Sequence, residues 1–541
     1  MTKKLLSFAL CLTLPLLAAD NAAAPNPSAG ASEIEQLKAL LADQQRQINE
    51  LRRALNAQNP DQNKPTGTTY RGVGEVASTT PIVPPAPAPA PVFAPPPVAP
   101  PPAPQEGEKS SPLQFKIGDA YITPVGFMDF TTITRSTNPG SGIGTNFGSI
   151  PFSNTPQGNL SETRFSAQNS RLGLRVDALV HGAKVLGYME GDFLGFVPPN
   201  AAVSSNSDTF RLRLYWVDVQ KGKFEFLAGQ SWSLLTPNRR GLSALPGDLF
   251  YTQNIDVNYQ NGLVWSRDQG FRMIFHPSPK AAFGISLENP EQYVGGSAGG
   301  GAITLPTALS ALAGTQLNNG NSTLATPGLH PDIIAKLALD PSKKFHIELA
   351  GVERTFKVYN PNTQQKFSTA AGAGSLNLNF ELVKNVRLFT NNYYGSGSGR
   401  YMFGQVPDLI LRADGSISPI HSGSSVTGIE LQGKKTLYYA YYGGIYIQKN
   451  IALDTNGKPV GYGFSGSPNG QNRAIQEATF GINQTFWKDP KYGALNLMLQ
   501  YSYLTRNPWF VATGQPSDAH TNMVFVNLRY SLPGTAPALE K

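Results

Sequence analysis

The sequence predicts an all-β transmembrane protein, a 16-stranded antiparallel outer-membrane β-barrel preceded by a short N-terminal coiled coil and a Pro-rich linker. Three observations carry this expectation. Apolar and polar residues alternate with a period of two in segment after segment from about residue 115 onward, so each segment has one greasy and one charged face. Short turns alternate with long loops along the same region, the layout of a barrel that crosses a bilayer with strands. Finally, only 15% of the residues are charged, with 54 Gly and 44 Pro, which disfavours several ordinary helical or α/β domains. The mean hydropathy of -0.23 fits, because half of each spanning strand is polar. After the first twenty residues no stretch is long and apolar enough to span as a helix.

Taken in order, the chain opens with Lys3 and Lys4, an apolar run from Leu5 to Leu17 and small residues around Ala22 and Ala24. This is the three-part pattern of a secretory signal peptide over residues 1–24. Cys11, the only cysteine, lies inside the apolar run. The exported chain is therefore expected to use neither disulfides nor thiol chemistry.

Residues 32–58 change character. Ile34, Leu37, Leu41, Gln44, Ile48, Leu51 and Leu55 are spaced alternately three and four apart, a heptad seam. Charged flanks include Glu35, Lys38, Arg46 and Glu50, and Ser32 with Glu35 forms a capping box. The seam is expected to make this an oligomerisation segment. The linker, 59–112, follows; within it residues 81–104 are so rich in Pro that neither helix nor sheet can form. As polyproline II this stretch would be a spacer on the order of 70 Å long.

The barrel is expected over residues 113–533, with a tail at 534–541. Its clearest hairpin runs from Ser170 to Gly195: Leu172, Leu174, Val176 and Val180 on one face oppose Arg171, Arg175 and Asp177, and the second arm sets Val185 and Met189 against Tyr188, Glu190 and Asp192. Seven short lysine-bearing turns fall at 181–184, 220–223, 277–280, 341–344, 383–385, 432–435 and 488–493. Eight longer connections are centred near residues 150, 202, 250, 310, 363, 412, 462 and 512. Fifteen connections join sixteen strands, an even number that puts both termini on one side.

On the strand after the second long loop, Phe210, Leu212, Leu214 and Trp216 are expected to face lipid and Arg211, Arg213 and Tyr215 the lumen. Trp216, Phe275, Phe345 and Tyr530 are expected in an aromatic girdle near the short turns. The last strand alternates Val524, Val526, Leu528 and Tyr530 against Asn527 and Arg529, and should close on the first, near Tyr121 to Thr134.

These residues carry a family resemblance. SRLGLR with GYMEGDF, the FRLRLYWVDV strand, FLAGQSWSLL (Phe226 to Leu235), ISLENPE (Ile285 to Glu291) and GSGRY (Gly397 to Tyr401) together resemble the DcaP-like porins. The resemblance covers nearly the whole exported chain and is strongest from Arg164 to Leu235. It implies a trimeric sixteen-stranded barrel with an N-terminal periplasmic coiled coil, admitting small anionic acids. The chain departs from the family in its long proline spacer and in running on as PGTAPALEK past the last aromatic residue.

For the lumen, alternation points Arg171, Arg175, Arg211, Arg213 and Arg272 inward, and places Arg239 and Arg240 on the long third loop, which is expected to fold into the barrel. Asp177, Glu190 and Asp192 face inward as well. Two arrangements suit this set: a salt-bridge ladder that stiffens the wall, or a basic constriction that concentrates anions. No enzyme signature assembles. The six His residues lack metal-ligand spacing, and GSGSG at 395–399 lacks the strand-then-helix setting of a nucleotide loop. No cofactor or metal is expected. The positive charge, pI 9.2, is spread over turns and lumen, which does not suggest nucleic acid. The expected function is a diffusion porin for small hydrophilic solutes, favouring organic anions such as dicarboxylates. The alternative is a structural outer-membrane anchor reaching towards the cell wall. The expected partners are small anionic solutes, outer-membrane lipid and two further copies of the chain.

Overall fold

The computed structural model describes residue 46 and residues 112–196, 208–320 and 327–533. The expected signal peptide, the heptad seam, nearly all of the linker and the C-terminal tail lie outside these residues. The sixteen wall strands begin with β1 (Ala120–Arg135), an interrupted β2 (Glu162–Ser166 and Arg171–Val180), β3 (Ala183–Asp192), β4 (Arg211–Lys221) and β5 (Phe224–Trp232). They continue as β6 (Arg267–Ser278), β7 (Ala281–Glu288), β8 (Asp332–Ser342), β9 (Phe345–Asn360), β10 (Gln365–Val383) and β11 (Val386–Ser396). The ring is completed by β12 (His421–Gln432), β13 (Thr436–Ile447), β14 (Asn472–Asp489), β15 (Gly493–Pro508) and β16 (Ala519–Ser531).

Each strand pairs antiparallel with the next, and β16 returns to β1 in the register Phe127↔Ser531 to Arg135↔Met523. Closure is required in hydrocarbon, where an open edge would leave a row of amide and carbonyl groups without partners. The strand count and the closing pair are those expected. All seven short turns sit where their Lys, Pro and Gly clusters placed them, for example at His181-Gly182, where both residues adopt positive φ (49° and 77°). Gly fits that left-handed geometry without steric cost.

Two local expectations are overturned. The connection near 363 is not a long loop. There β9 and β10 run on for 16 and 19 residues and are joined by residues 361–364. Phe356 and Val358 are buried on the inner face of this tall hairpin and pack with Leu409 and Ile417 of the sixth loop, so strand pairing continues where a polar composition suggested a loop.

The second correction concerns β4. Leu214 pairs with Glu190 but Leu212 pairs with Gly191, so one extra residue is inserted opposite that step. Such a bulge turns two successive side chains to one face and reverses the alternation beyond it. Arg213 and Leu214 therefore both point inward. Leu214 and Trp216 are 0% and 4% exposed, whereas Tyr215 and Val217 are 60% and 44% exposed. Trp216 stacks on Tyr188 inside the barrel, with ring centroids 5.4 Å apart, and is not part of an outer girdle. Leu212, before the bulge, faces outward as expected. Phe275, Phe345 and Tyr530 keep the outward parity of their strands near the short turns.

Candidate solute passage

What shapes the lumen is the third loop, residues 233–266. A loop inside a barrel must find partners for its backbone amides, and inward-facing acids and amides of the wall supply them. Close to its origin, Glu288 accepts the Leu234 N–H (2.8 Å). Lys336 and Glu348, fully buried at 2.9 Å from each other, also hold the loop: Lys336 donates to the Thr236 carbonyl (2.8 Å) and Glu348 accepts the Asn238 N–H (3.0 Å).

The loop then crosses to the far wall. Arg239 reaches Glu430 on β12 (3.2 Å), and the Gln253 N–H donates to the Tyr441 hydroxyl on β13 (3.0 Å). The Asn261 N–H donates to Glu477 on β14 (2.8 Å), and the Ile255 N–H to Gln500 on β15 (2.7 Å). Two bulky residues of the loop, Phe250 and Tyr259, sit in the left-handed region at φ 64° and 67°, which is unfavourable for such side chains. Their rings stack at 4.4 Å, with Trp232 edge-on to both. Packing over-determines the strained backbone here, as in other functional segments.

Loop 3 divides the lumen. On the long-loop side lies a cavity of about 990 Å³ bounded by residues 140–144 of the first loop, by Arg211 and Arg213, and by Tyr259, Trp265 and Arg267. On the short-turn side lies one of about 530 Å³ whose lining includes Arg239, Arg240, Arg387, Lys344, Asp340 and Glu430.

The expected arginines separate into three groups. Arg171, Arg175, Arg211 and Arg213 line one wall. Arg213, 3% exposed, is gripped by Glu190 (2.8 Å) and Asp192 (2.6 Å). Arg211 shares Asp192 at 2.7 Å and is 39% exposed; Arg171 stands 3.7 Å from Glu190. Arg175 pairs with its strand neighbour Asp177 through two hydrogen bonds of 2.8 Å. Arg239 and Arg240 belong to the inner cavity, Arg240 lying 3.8 Å from Asp340. Arg272 points inward as expected but is buried behind loop 3, donating to the Trp232 carbonyl at 2.6 Å, and does not reach the passage.

Two residues of the passage, Arg267 and Tyr259, escaped the sequence. Arg267 lies over the rings of Trp232 (5.5 Å) and Trp265 (5.9 Å), with no ion pair among the described residues. Alternation counted back from Arg272 would have put it outside; the exit of loop 3 turns it in. Arg529, inward by alternation, pairs with Asp129 at 2.7 Å and lies over Phe127 at 4.1 Å, across the seam where the barrel closes. No local pattern marks Tyr259, whose hydroxyl accepts a hydrogen bond from Arg213 (3.2 Å). Burial alone would raise its phenol, but the guanidiniums of Arg171, Arg213 and Arg267 bring it to a net position below its ordinary value. A buried hydroxyl whose ionisation is eased by neighbouring cations lies in a region of positive potential.

The motifs behind the family resemblance also acquire physical roles. FLAGQSWSLL carries β5 into loop 3 and buries Trp232, Leu234 and Leu235. Glu288 of ISLENPE holds that loop, and GSGRY pins the sixth loop. There Arg400 lies 3.4 Å from both Asp268 and Asp332, and the Tyr401 hydroxyl donates to Asp332 at 2.9 Å.

A closed sixteen-stranded barrel with short turns on one rim, long loops on the other and a loop folded into its lumen has the architecture of the outer-membrane porins. The fold is DcaP-like: the outer membrane channel DcaP of Acinetobacter baumannii matches with a TM-score of 0.57 at 16% identity, over 77% of this chain and 99% of that one. The anion-selective porin of Comamonas acidovorans matches with a TM-score of 0.44 at 13% identity, over 76% and 99%. OprB of Pseudomonas putida matches at 0.41 and 11%, over 75% and 94%. No family model matches the chain, and no curated protein matches its sequence.

Proposed function

We propose that this chain is an outer-membrane diffusion porin that admits small hydrophilic solutes down their gradients, favouring organic anions such as dicarboxylates at a basic constriction beside loop 3. The observation that carries this reading is the cluster around the Tyr259 hydroxyl. Arg213 donates to that hydroxyl, Arg211, Arg213 and Arg267 line one cavity with Tyr259, and Arg171 adds its charge, while Glu190 and Asp192 are the carboxylates that pair with Arg171, Arg211 and Arg213. The salt-bridge ladder and the basic constriction coexist: the ladder fixes the guanidiniums, and the unmatched charge is left to the solute. Guanidinium stays ionised and offers paired donors to a carboxylate. In a narrow passage with low-dielectric walls a surplus of fixed positive charge raises the local concentration of anions.

The test is a reversal potential in a KCl gradient. Chloride should be favoured, and replacing two guanidiniums of the cavity wall, Arg211→Ser with Arg267→Ser, should reduce that preference and slow dicarboxylate uptake more than uptake of a neutral sugar of similar size. A cation-selective wild-type channel would overturn the reading, and a barrel that fails to swell liposomes would favour the anchor. In this reading the signal peptide directs export, three copies associate in outer-membrane lipid, and the heptad segment Ile34 to Leu55 lies in the periplasm.

A further inference from the structure

The outward face of the barrel is not uniform. Over much of the wall it is a band of large apolar side chains such as Leu172, Phe271, Leu499 and Val526, as hydrocarbon requires. Across β9 to β14 the band is interrupted. Direct cross-strand pairing lines up Gly351, Gly374, Tyr394, Gly423, Tyr446 and Ala474 in one row. The next row includes Leu349, Leu376, Ser425 and Gly444. Together they line a mostly apolar groove of about 1060 Å³. Its floor is low because the glycines have no side chains, not because anything covers them. A Cβ added to Gly351, Gly374 or Gly444 would come no nearer than 3.7 Å to another atom.

The groove has a charged head. Tyr446 and Ala474 end the upper row at the long-loop rim, and immediately beyond them are Lys449 and Arg473, both exposed. The Lys449 ammonium lies 4.6 Å and the Arg473 guanidinium 6.0 Å from the centre of the Trp509 ring, with Tyr446 edge-on to the same indole at 6.1 Å. Neither cation makes an ion pair among the described residues. Two cations sharing one ring, with no carboxylate between them, form a site for an anion.

We propose that this groove binds a phosphorylated glycolipid of the outer leaflet, its phosphate on Lys449 and Arg473 and an acyl chain along the glycine floor. Charge complementarity selects the phosphate. The position at the long-loop rim selects the outer leaflet, and the apolar rows below select a chain, not a soluble anion. The inference rests on the outer-membrane placement of the barrel and is independent of what passes through its lumen.

Native mass spectrometry of the full chain in detergent, titrated with bisphosphorylated lipid A, tests it. Lys449→Gln with Arg473→Gln should weaken binding roughly thirtyfold, and removal of the lipid phosphates should weaken it to a similar extent. Gly374→Leu with Gly444→Leu should also weaken it although both cations remain. Heat-resistant migration on gels should be unchanged in the charge variant, whose two side chains are exposed. Wild-type affinity in the charge variant, equal binding of the dephosphorylated lipid, equal binding of phosphatidylglycerol, or displacement by inorganic phosphate at the lipid's own concentration would each overturn the proposal. So would efficient crosslinking of Gly444→Cys to a second copy, which would make this face a subunit interface.

Discussion

Arg213 is the residue whose loss the wall can least absorb. Its guanidinium is buried between Glu190 and Asp192, and Arg213→Leu would leave Glu190 with no cation but the distant Arg171 at 3.7 Å and Asp192 with none but the half-exposed Arg211. Breaking a buried pair from one side costs about 3–5 kcal/mol. Urea unfolding followed by tryptophan fluorescence should show that loss. Arg211→Ser, which leaves Asp192 still paired to Arg213, should stay within about 1 kcal/mol of wild type. Tyr259 offers a pH test of the passage. Burial alone would raise its phenol, but the surrounding guanidiniums shift it down on balance, so on raising the pH it should ionise before an ordinary tyrosine. The new negative charge would offset part of the cationic cluster. Chloride preference should therefore fall on the alkaline side in the wild type, and that step should be missing in Tyr259→Phe; an identical pH profile in the two proteins would contradict the role given to this hydroxyl.

Among the elements, β4 and loop 3 make the sharpest demands. The bulge in β4 means that Leu212 and Tyr215 face lipid while Leu214 lies inside. An arginine facing lipid near the mid-plane costs about 2–4 kcal/mol and near an interface about 0–1 kcal/mol, so Tyr215→Arg, towards the middle of β4, should slow insertion into vesicles, and Leu212→Arg, at its long-loop end, should slow it less. Leu214→Ala should insert, yet lose about 2–5 kcal/mol of stability through the cavity left under loop 3. If Tyr215→Arg inserts like wild type, the inverted parity is wrong. Loop 3 is tied to the far wall by a few hydrogen bonds, among them those to Glu477 and Gln500. Glu477→Gln with Gln500→Ala should loosen it, giving noisier single-channel currents with excursions above the wild-type conductance. Currents as quiet as wild type would show that the remaining ties suffice.

For the whole molecule, the proposed trimer, held by both the barrel and the heptad seam, has its own test. Deleting residues 32–58 should weaken the oligomer without abolishing it, and a native mass of a monomer for the intact chain would remove the trimer from consideration. The anion preference should also fade with salt. Screening shortens from about 10 Å at 0.1 M to about 3 Å at 1 M, so the chloride-to-potassium permeability ratio should approach the ratio of their mobilities at the higher concentration.

Much of the barrel was legible without coordinates because the signals are local. Alternation along each strand separated Leu172 from Arg171 and Val526 from Asn527. Short clusters of Lys, Pro and Gly, each with a lysine, marked every short turn, and the need to avoid an open edge dictated that β16 meet β1. Where a local rule met a long-range choice, the tertiary structure decided. One inserted residue in β4, visible only through its pairing with β3, carried Leu214 and Trp216 to the other face. The path of loop 3 depends on acceptors drawn from strands far along the chain, such as Glu430 and Gln500. That path buried Arg272, brought Arg267 inward and set Tyr259 among the arginines. Sequence alternation thus named the cations of the wall, since the direction of a side chain is set by its own strand. Which of them meet a solute depends on what covers them, and that is fixed by contacts between residues up to hundreds of positions apart.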